Sequence, residues 1–494
     1  MRAIDDRGPA PRCPTPFNAT AYVLAEGMKT PDKIALAVLG PSRAERWSYA
    51  RLIETVGAAQ SWLLSKGIQP GDRLLLRLGN TPDVPVAYLA AIAAGILPVP
   101  TSSVLTEAEV TRLAADLQPT AILHSKGVNL PADCSTPILD VSEMRSAPAA
   151  QPDPILGDPD RVAYLMTTSG TSGRPRLVRH AHRAIWARHM MRDGWTDMRS
   201  DDRVLHAGAF NWTYTLGTGL LDPWSVGATA LIPAEGTTPE LMALLLSRHD
   251  ATIFAAVPGI YRKLLASNWT KSTKLRHCLS AGEKLPDAVR DAWFDATDLQ
   301  IHEAFGQTEV STFLSGSPDR PAPRGTLGYA QPGRSIAILG PDGPCERGEA
   351  GSIAIRANDP GLTLDAEGDG WVATGDVGQM QEDGAIVYLG RADDTLTAGG
   401  FRISPIEVED AMLGMPGLTG IGVADVEIKP GVRVVGAFYT ANDPLDETAL
   451  DAHAAERLAP YKRPRKWVHL EELPRNVNGK LLRRRLTSAK PITS

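Results

Sequence analysis

Residues Tyr164–His182 read YLMTTSGTSGRPRLVRHAH. Between Thr167 and Gly173 stand five hydroxyl side chains and two glycines, followed at once by Arg174, Pro175 and Arg176. The apolar run RVAYLM comes just before and reads as a strand, so the polar stretch is a loop at its end. Glycine admits positive φ and lets backbone approach a ligand closely. Successive N–H groups in such a loop form an anion-binding nest, and the hydroxyls of Thr168, Ser169, Thr171 and Ser172 add donors. The pattern G-x-x-x-x-G-K-[ST] is absent. Taken alone, the stretch is equally a solvated turn or a phosphate cradle.

Working outward, short apolar runs alternate with helical patterns: TAILHS, RVLHAGAF, ATALIPA, ATIFAAVP and LRHCLSAG. That alternation predicts α/β architecture with substantially parallel sheets. Ligands bind such sheets beyond the carboxyl ends of the strands. Two further loops fall there, SAGEKLP after LRHCL and AFGQTE after LQIHE. Beyond about residue 320 the chain turns Gly- and Pro-rich. GQMQEDGAIVYLG predicts a hairpin turning at Asp383-Gly384. A helix is expected from near Pro405, then a strand in VVGAFYTA and an amphipathic helix in ETALDAHAAERL. We place a boundary near Gly390–Asp393, which gives a domain 1–390 and a small α+β domain 391–494.

A chain of 494 residues exceeds one compact core. Hydrophobic content of 43% and charged content of 22% fit a globular protein. A net charge of −6 gives no reason to expect nucleic-acid or membrane binding. Cys13, Cys134, Cys278 and Cys345 are dispersed and form no CxxC pair, so neither a disulfide framework nor a zinc site is expected. With no apolar leader at the N-terminus, a reducing cytoplasm is the expected location. The Ala-rich run Val84–Pro100 is short for a membrane span and reads as a buried helix entering a strand.

Three other stretches carry chemistry. In AFGQTE, Ala304–Glu309, a small-residue turn displays Thr308 and Glu309. A carboxylate beside triphosphate oxygens suits Mg²⁺, a hard cation. In Thr374-Gly375-Asp376 a fixed carboxylate can accept two hydrogen bonds from a ribose diol. In LPRNVNGKLLRRR, Lys480 follows Asn478-Gly479 on a short turn within a locally basic tail. Each is weak alone, because a lone Glu, Asp or Lys is usually a solvated surface charge.

In this order and spacing, together with GRADDTLTAGGFRISPIEVE, these motifs resemble the adenylate-forming superfamily, which includes acyl-CoA synthetases, peptide-synthetase adenylation domains and luciferases. The resemblance runs from Pro31 to Arg484. It implies a large N-terminal domain of α/β sheets with a β-barrel-like subdomain, and a small C-terminal domain that rotates about a hinge. It implies that Thr167, Thr168, Ser169, Gly170, Thr171, Ser172, Gly173 and Arg176 bind the ATP phosphates. Glu309 would ligate Mg²⁺, and Thr308 would contact the α-phosphate. Ala304, Phe305 and Gly306 would lie on one side of adenine, and Gly282, Glu283 and Lys284 on the other. Asp376, with Arg391, would hold the ribose. Asp393 would be the hinge and Lys480 the adenylation lysine. Gly399 and Gly400 would let a pantetheine arm pass. Two positions depart from the family pattern: Arg176 and Thr397 stand where lysine is usual. A guanidinium fork and an ammonium point charge differ in geometry.

The stretch AGAFNWTYTLGTGLLDPWSVGAT resembles the acyl-pocket region of acetyl-, medium-chain and benzoate-type CoA ligases. Trp212 falls at their aromatic gate. Phe210, Tyr214, Val257, Ala281, Ala304 and Gly306 are further pocket candidates. The implied reaction is ATP- and Mg²⁺-dependent activation of an aryl or short- to medium-chain carboxylic acid, followed by acyl transfer to CoA. Arg402 and the basic tail are candidates for the 3′-phosphate of CoA. Loading of a carrier protein and an inactive nucleotide-binding regulator stay open as alternatives.

Overall fold

The computed structural model describes residues 1–494 except 133, 170–174, 268–273, 393–395, 399–400, 430–431, 461, 476–480 and 490–494. The described chain forms two compact units. The larger comprises Asp5–Ser335 and Arg356–Val372; the smaller comprises Met1–Ile4, Ile336–Ile355 and Ala373–Ser494.

The larger unit is built on a nine-stranded sheet. In spatial order its strands are Tyr329–Ala330, Ser311–Ser315, Ile301–Gln307, His277–Ala281, Ile253–Ala255, Arg203–His206, Thr229–Pro233, Ile34–Leu39 and Ala44–Ser48. From Ile301–Gln307 to Ile34–Leu39 every pairing is parallel, as the alternating pattern predicts. The central strands carry apolar side chains on both faces because each face is covered. Leu205, Phe254 and Cys278 join one buried cluster, while Val204, Ile253, Leu279 and Ala281 join another. A four-stranded parallel sheet and the antiparallel pair Val162–Ser169 and Pro175–Ala181 complete the unit's strands.

Val84–Pro100 folds as its composition predicts. Helix Asp83–Ala93 is buried all round and leads into strand Leu97–Pro100. Among the described residues no helix is long and apolar enough to cross a membrane.

The smaller unit carries the hairpin of strands Trp371–Met380 and Ile386–Arg391. It turns at Asp383-Gly384 as predicted. Gly384 has φ +91°, and Ala385 N–H donates to Asp383 Oδ1 at 2.9 Å. Three strands, Leu418–Lys429, Val432–Ala441 and Lys466–His469, form a second sheet. Helices Pro405–Met412 and Glu447–Arg457 share a buried cluster with it, an α+β arrangement. Ser404 caps the first helix and Pro405 occupies its first turn, where a missing N–H costs nothing.

Candidate active site

The turn Thr308-Glu309-Val310 joins strands Ile301–Gln307 and Ser311–Ser315, which are antiparallel with a bulge at Phe305/Gly306. Gly306 permits the close approach. A Cβ there would stand 2.0 Å from the Ser311 carbonyl oxygen and 2.4 Å from Thr312 Cα. Ser311 takes φ +67°, a left-handed conformation uncommon for a residue with a side chain. Phe305 meets Phe313 edge-on at 5.5 Å. Thr308 and Glu309 are thus held half-buried at the carboxyl end of a parallel strand.

This turn is stitched to the hairpin that carries the hydroxyl-rich loop. Thr363 N–H donates to the Glu309 carbonyl at 2.8 Å, and Thr363 Oγ1 donates to the Arg179 carbonyl at 2.7 Å. Asp365 accepts from Arg179 N–H at 2.8 Å and from Arg179 Nε at 2.7 Å. Burial pushes the Asp365 carboxyl up. The hydrogen bonds from Arg179, with the charges of Arg179 and Arg176, outweigh that and hold it below its ordinary value. Strand register puts Thr167 opposite Leu177 and Thr168 opposite Arg176, which is exposed. His180 stacks on Tyr164 at 4.8 Å. Burial pulls His180 down to about 4, offset in part by the Thr308 backbone, so the ring is neutral; neither ring nitrogen has a hydrogen-bond partner of good geometry.

Aromatic and small side chains gather at the neighbouring strand ends. Gly282, at φ +95° after strand His277–Ala281, faces Trp212. The point where its Cβ would stand is 3.6 Å from Trp212 Cζ2 and 4.0 Å from Val257 Cγ1. Tyr214 meets Trp212 edge-on at 5.3 Å and packs with Trp195, Ala281 and Ala304. The structure therefore gathers Trp212, Tyr214, Val257, Ala281, Gly282 and Ala304. It sends Phe210 elsewhere, fully buried with Leu216, Leu220 and Trp224 in the helical core. A π-helical turn, Thr215–Leu221, follows Tyr214; such turns recur at functional sites. Lys284 lies near Glu303. Burial pushes that carboxyl up to about 7, against the Leu285 N–H, Arg290 and Lys284.

In the smaller unit Asp376 pairs across the hairpin with Arg391. Asp376 is buried, accepts from the Tyr388 hydroxyl at 3.0 Å, and has Arg391 Nη1 at 3.9 Å. Gly375, at φ +76°, leaves room for the Arg391 guanidinium, which lies 3.2 Å from where a Cβ would stand. In the basic tail, Arg483 is taken up in a buried ion pair with Glu409, and Lys462 pairs with Glu407. Their charges are partly spent inside the unit.

Several expected residues lie outside the described ones: Gly170, Thr171, Ser172, Gly173, Asp393, Gly399, Gly400 and Lys480. So do the side chains of Thr168, Ser169, Thr397 and Arg402. Among the described residues no group of three or more His, Cys, Asp or Glu is arranged to hold a metal ion. Sequence reading missed Asp365, Tyr388, His206 and Arg188. Arg188 is partly buried and donates to both Asp222 oxygens at 2.7 Å, to Ser311 Oγ at 2.6 Å and to Thr218 Oγ1 at 3.2 Å. Nothing local marks it; its partners lie 30 to 123 residues away.

Comparison with known proteins identifies the family. The family described as AMP-binding enzyme matches residues 25–363, and its C-terminal domain family matches 407–480. The chain belongs to the AMP-binding enzyme family. It is 29% identical over 511 residues to a benzoate–CoA ligase of Thauera aromatica, spanning 95% of this chain and 92% of that protein. It is 29% identical over 505 residues to the mitochondrial acyl-coenzyme A synthetase ACSM5 of Mus musculus, spanning 93% and 87%. The solved benzoate CoA ligase from Burkholderia xenovorans LB400 superposes with a TM-score of 0.86 at 26% identity, covering 95% of this chain and 100% of that one.

Proposed function

We propose that this enzyme, an AMP-forming acid–CoA ligase, activates an aryl or a short- to medium-chain carboxylic acid. The observation that carries the reading is the stitched carboxyl edge of the larger sheet. There the Glu309 turn and the hairpin of the hydroxyl-rich loop share Thr363 as a common partner, and Trp212 faces Gly282 at the adjacent strand end.

A carboxylate needs a good leaving group before a thiol can displace it. Attack on the α-phosphorus of ATP expels pyrophosphate and forms an acyl-AMP. Both reactants are anions. At 4 Å and an effective dielectric constant near 20, two unit charges repel by about 4 kcal/mol. In our reading Lys480 offsets that repulsion by touching both, and the backbone N–H groups of Thr167–Gly173 hold the distal phosphates. Glu309 is a hard oxygen donor on a fixed turn, which fits Mg²⁺ whose other ligands come from phosphate and water. When bound, the metal neutralises phosphate charge. Asp376, oriented by Tyr388, is assigned to the ribose hydroxyls, and Trp212 with Tyr214 to the acid. The rest of catalysis is alignment. The CoA thiol then gives up its proton to solvent and attacks the acyl carbon, forming the thioester C–S bond as the C–O bond to phosphate breaks and AMP leaves. Asp393 is assigned as the pivot and Gly399-Gly400 as the thiol passage. We place the domain division at 390/391.

The test is a panel of aryl and alkyl acids with ATP, Mg²⁺ and CoA, read as AMP and thioester. Thioester from at least one aryl or short- to medium-chain acid is expected. Preference for long-chain acids overturns the substrate class. Thioester formed on a carrier protein but not on CoA overturns the acceptor.

A further inference from the structure

His206 ends the strand Arg203–His206 and is fully buried. Its Nδ1 accepts from the Gly208 N–H at 3.1 Å and lies 3.2 Å from Thr215 Oγ1. A nitrogen that accepts an N–H carries a lone pair, so in the neutral ring the hydrogen sits on Nε2. Burial keeps the ring neutral by pulling its pKa down to about 3. The Nε2–H is shielded from solvent and has no hydrogen-bond partner among the described residues.

Tyr214 repeats the situation. Its ring lies 4.3 Å from that of His206 at 79°, and its buried hydroxyl is also without a partner. Burial raises its pKa, which keeps the hydroxyl protonated. Two other buried rings nearby are satisfied. His277 Nε2 sits 2.8 Å from the Trp195 carbonyl, and Trp195 Nε1 donates to the His302 carbonyl at 2.8 Å. Buried polar groups in native structures are normally satisfied, so two orphans on touching rings call for a partner. Both rings adjoin Trp212, His206 edge-on at 6.0 Å and Tyr214 edge-on at 5.3 Å, and Trp212 faces Gly282.

We propose that His206 and Tyr214 form a polar subsite that selects an acid bearing a neutral hydrogen-bonding substituent, in an aryl acid a ring hydroxyl. Such a hydroxyl accepts from His206 Nε2–H and exchanges a second hydrogen bond with the Tyr214 hydroxyl. An unsubstituted ring or alkyl chain leaves both groups unsatisfied. Sites built to bond a substrate hydroxyl discriminate strongly against its absence, because their own groups are left unpaired. The proposal rests on the ligase reading above and adds the chemistry of the acid.

The experiment compares kcat/KM for benzoate with that for its 2-, 3- and 4-hydroxy derivatives, with hexanoate as an alkyl control. The wild type is expected to favour one hydroxy isomer over benzoate by at least about tenfold. His206→Phe and Tyr214→Phe keep ring volume and remove the polar atoms. Each should lower the hydroxy-to-benzoate ratio at least about tenfold, with KM for ATP in the wild-type range. His206→Gln, which restores a donor, should recover part of the ratio. The ratio compares two substrates on one preparation, so partial misfolding does not imitate the result. A wild type that favours benzoate or hexanoate over every hydroxy isomer overturns the proposal while leaving the ligase reading standing. So does a ratio that neither Phe variant moves. Absence of AMP from every acid overturns the ligase reading itself and the subsite with it.

Discussion

The carboxyl edge of the large sheet and the Trp371–Arg391 hairpin hold their candidate residues by different means. At the sheet edge, the backbone does the positioning. Gly306 packs against the Ser311 carbonyl with no room for a methyl group, and the Thr363 N–H bonds the Glu309 carbonyl. In the hairpin, side chains do it: Tyr388 and Arg391 reach Asp376 across the strand pair. Backbone contacts tolerate little displacement, whereas the end of a guanidinium can swing aside.

The largest effect is expected at a residue outside both regions. Lys480→Ala should lower acid-dependent pyrophosphate release by about 100-fold or more, measured with a coupled pyrophosphate assay. Thioester formation from synthetic acyl-AMP should fall much less; equal losses in the two halves would remove the assigned role.

The comparison itself breaks or holds on two glycines. Gly306→Ala must shift backbone, because the new Cβ meets Ser311 O and Thr312 Cα. A displacement of about 1 Å at Thr308 and Glu309 should cost about 100-fold in adenylation. Gly375→Ala meets a movable Arg391 Nη2 at 3.2 Å but carries φ +76°. A loss of roughly tenfold or less, mostly in KM for ATP, is expected there. If the two variants are equally impaired, backbone and side-chain positioning do not differ as described.

Arg188→Met sharpens the picture for the sheet. It would leave the largely enclosed Asp222 without its bidentate partner and release Ser311 beside the Glu309 turn. A stability loss of about 3–5 kcal/mol is expected in urea unfolding.

The smallest effect is one of pH. In the larger unit burial lowers His180, His182, His206, His277 and His302 from 6.5 to about 3 or 4. The unfolded chain binds their protons first, so their stabilising effect is present above about pH 6.5 and is lost as pH falls. Glu303, raised to about 7, acts in the opposite sense, its contribution lost as pH rises through 7. Five groups outweigh one, and Tm should drop by several degrees between pH 7 and pH 5 by differential scanning fluorimetry. A Tm that rises over that range would contradict the burial of these rings.

Much of this was legible in order and spacing. The parallel sheet follows from the alternation of strand and helix patterns, the turn at Asp383-Gly384 from its dipeptide, and the helix start from Ser404-Pro405. The hydroxyl-rich loop took on meaning once AFGQTE, Thr-Gly-Asp and Gly-Lys followed it in order. What stayed hidden depends on distant partners. Asp365 meets Arg179 across 186 residues, and Arg188 meets Ser311 across 123. Phe210 and Tyr214 are four positions apart in one stretch, yet they enter different clusters.

Residue type and order establish which functional groups the chain carries: hydroxyls and glycines in one loop, the carboxylates of Glu309 and Asp376, and the ammonium of Lys480. They do so because they fix donors, acceptors and charges. Only the tertiary structure decided which groups are satisfied. That His206 and Tyr214 each keep a buried polar atom unpaired, while His277 does not, depends on neighbours the fold brings together from remote parts of the chain.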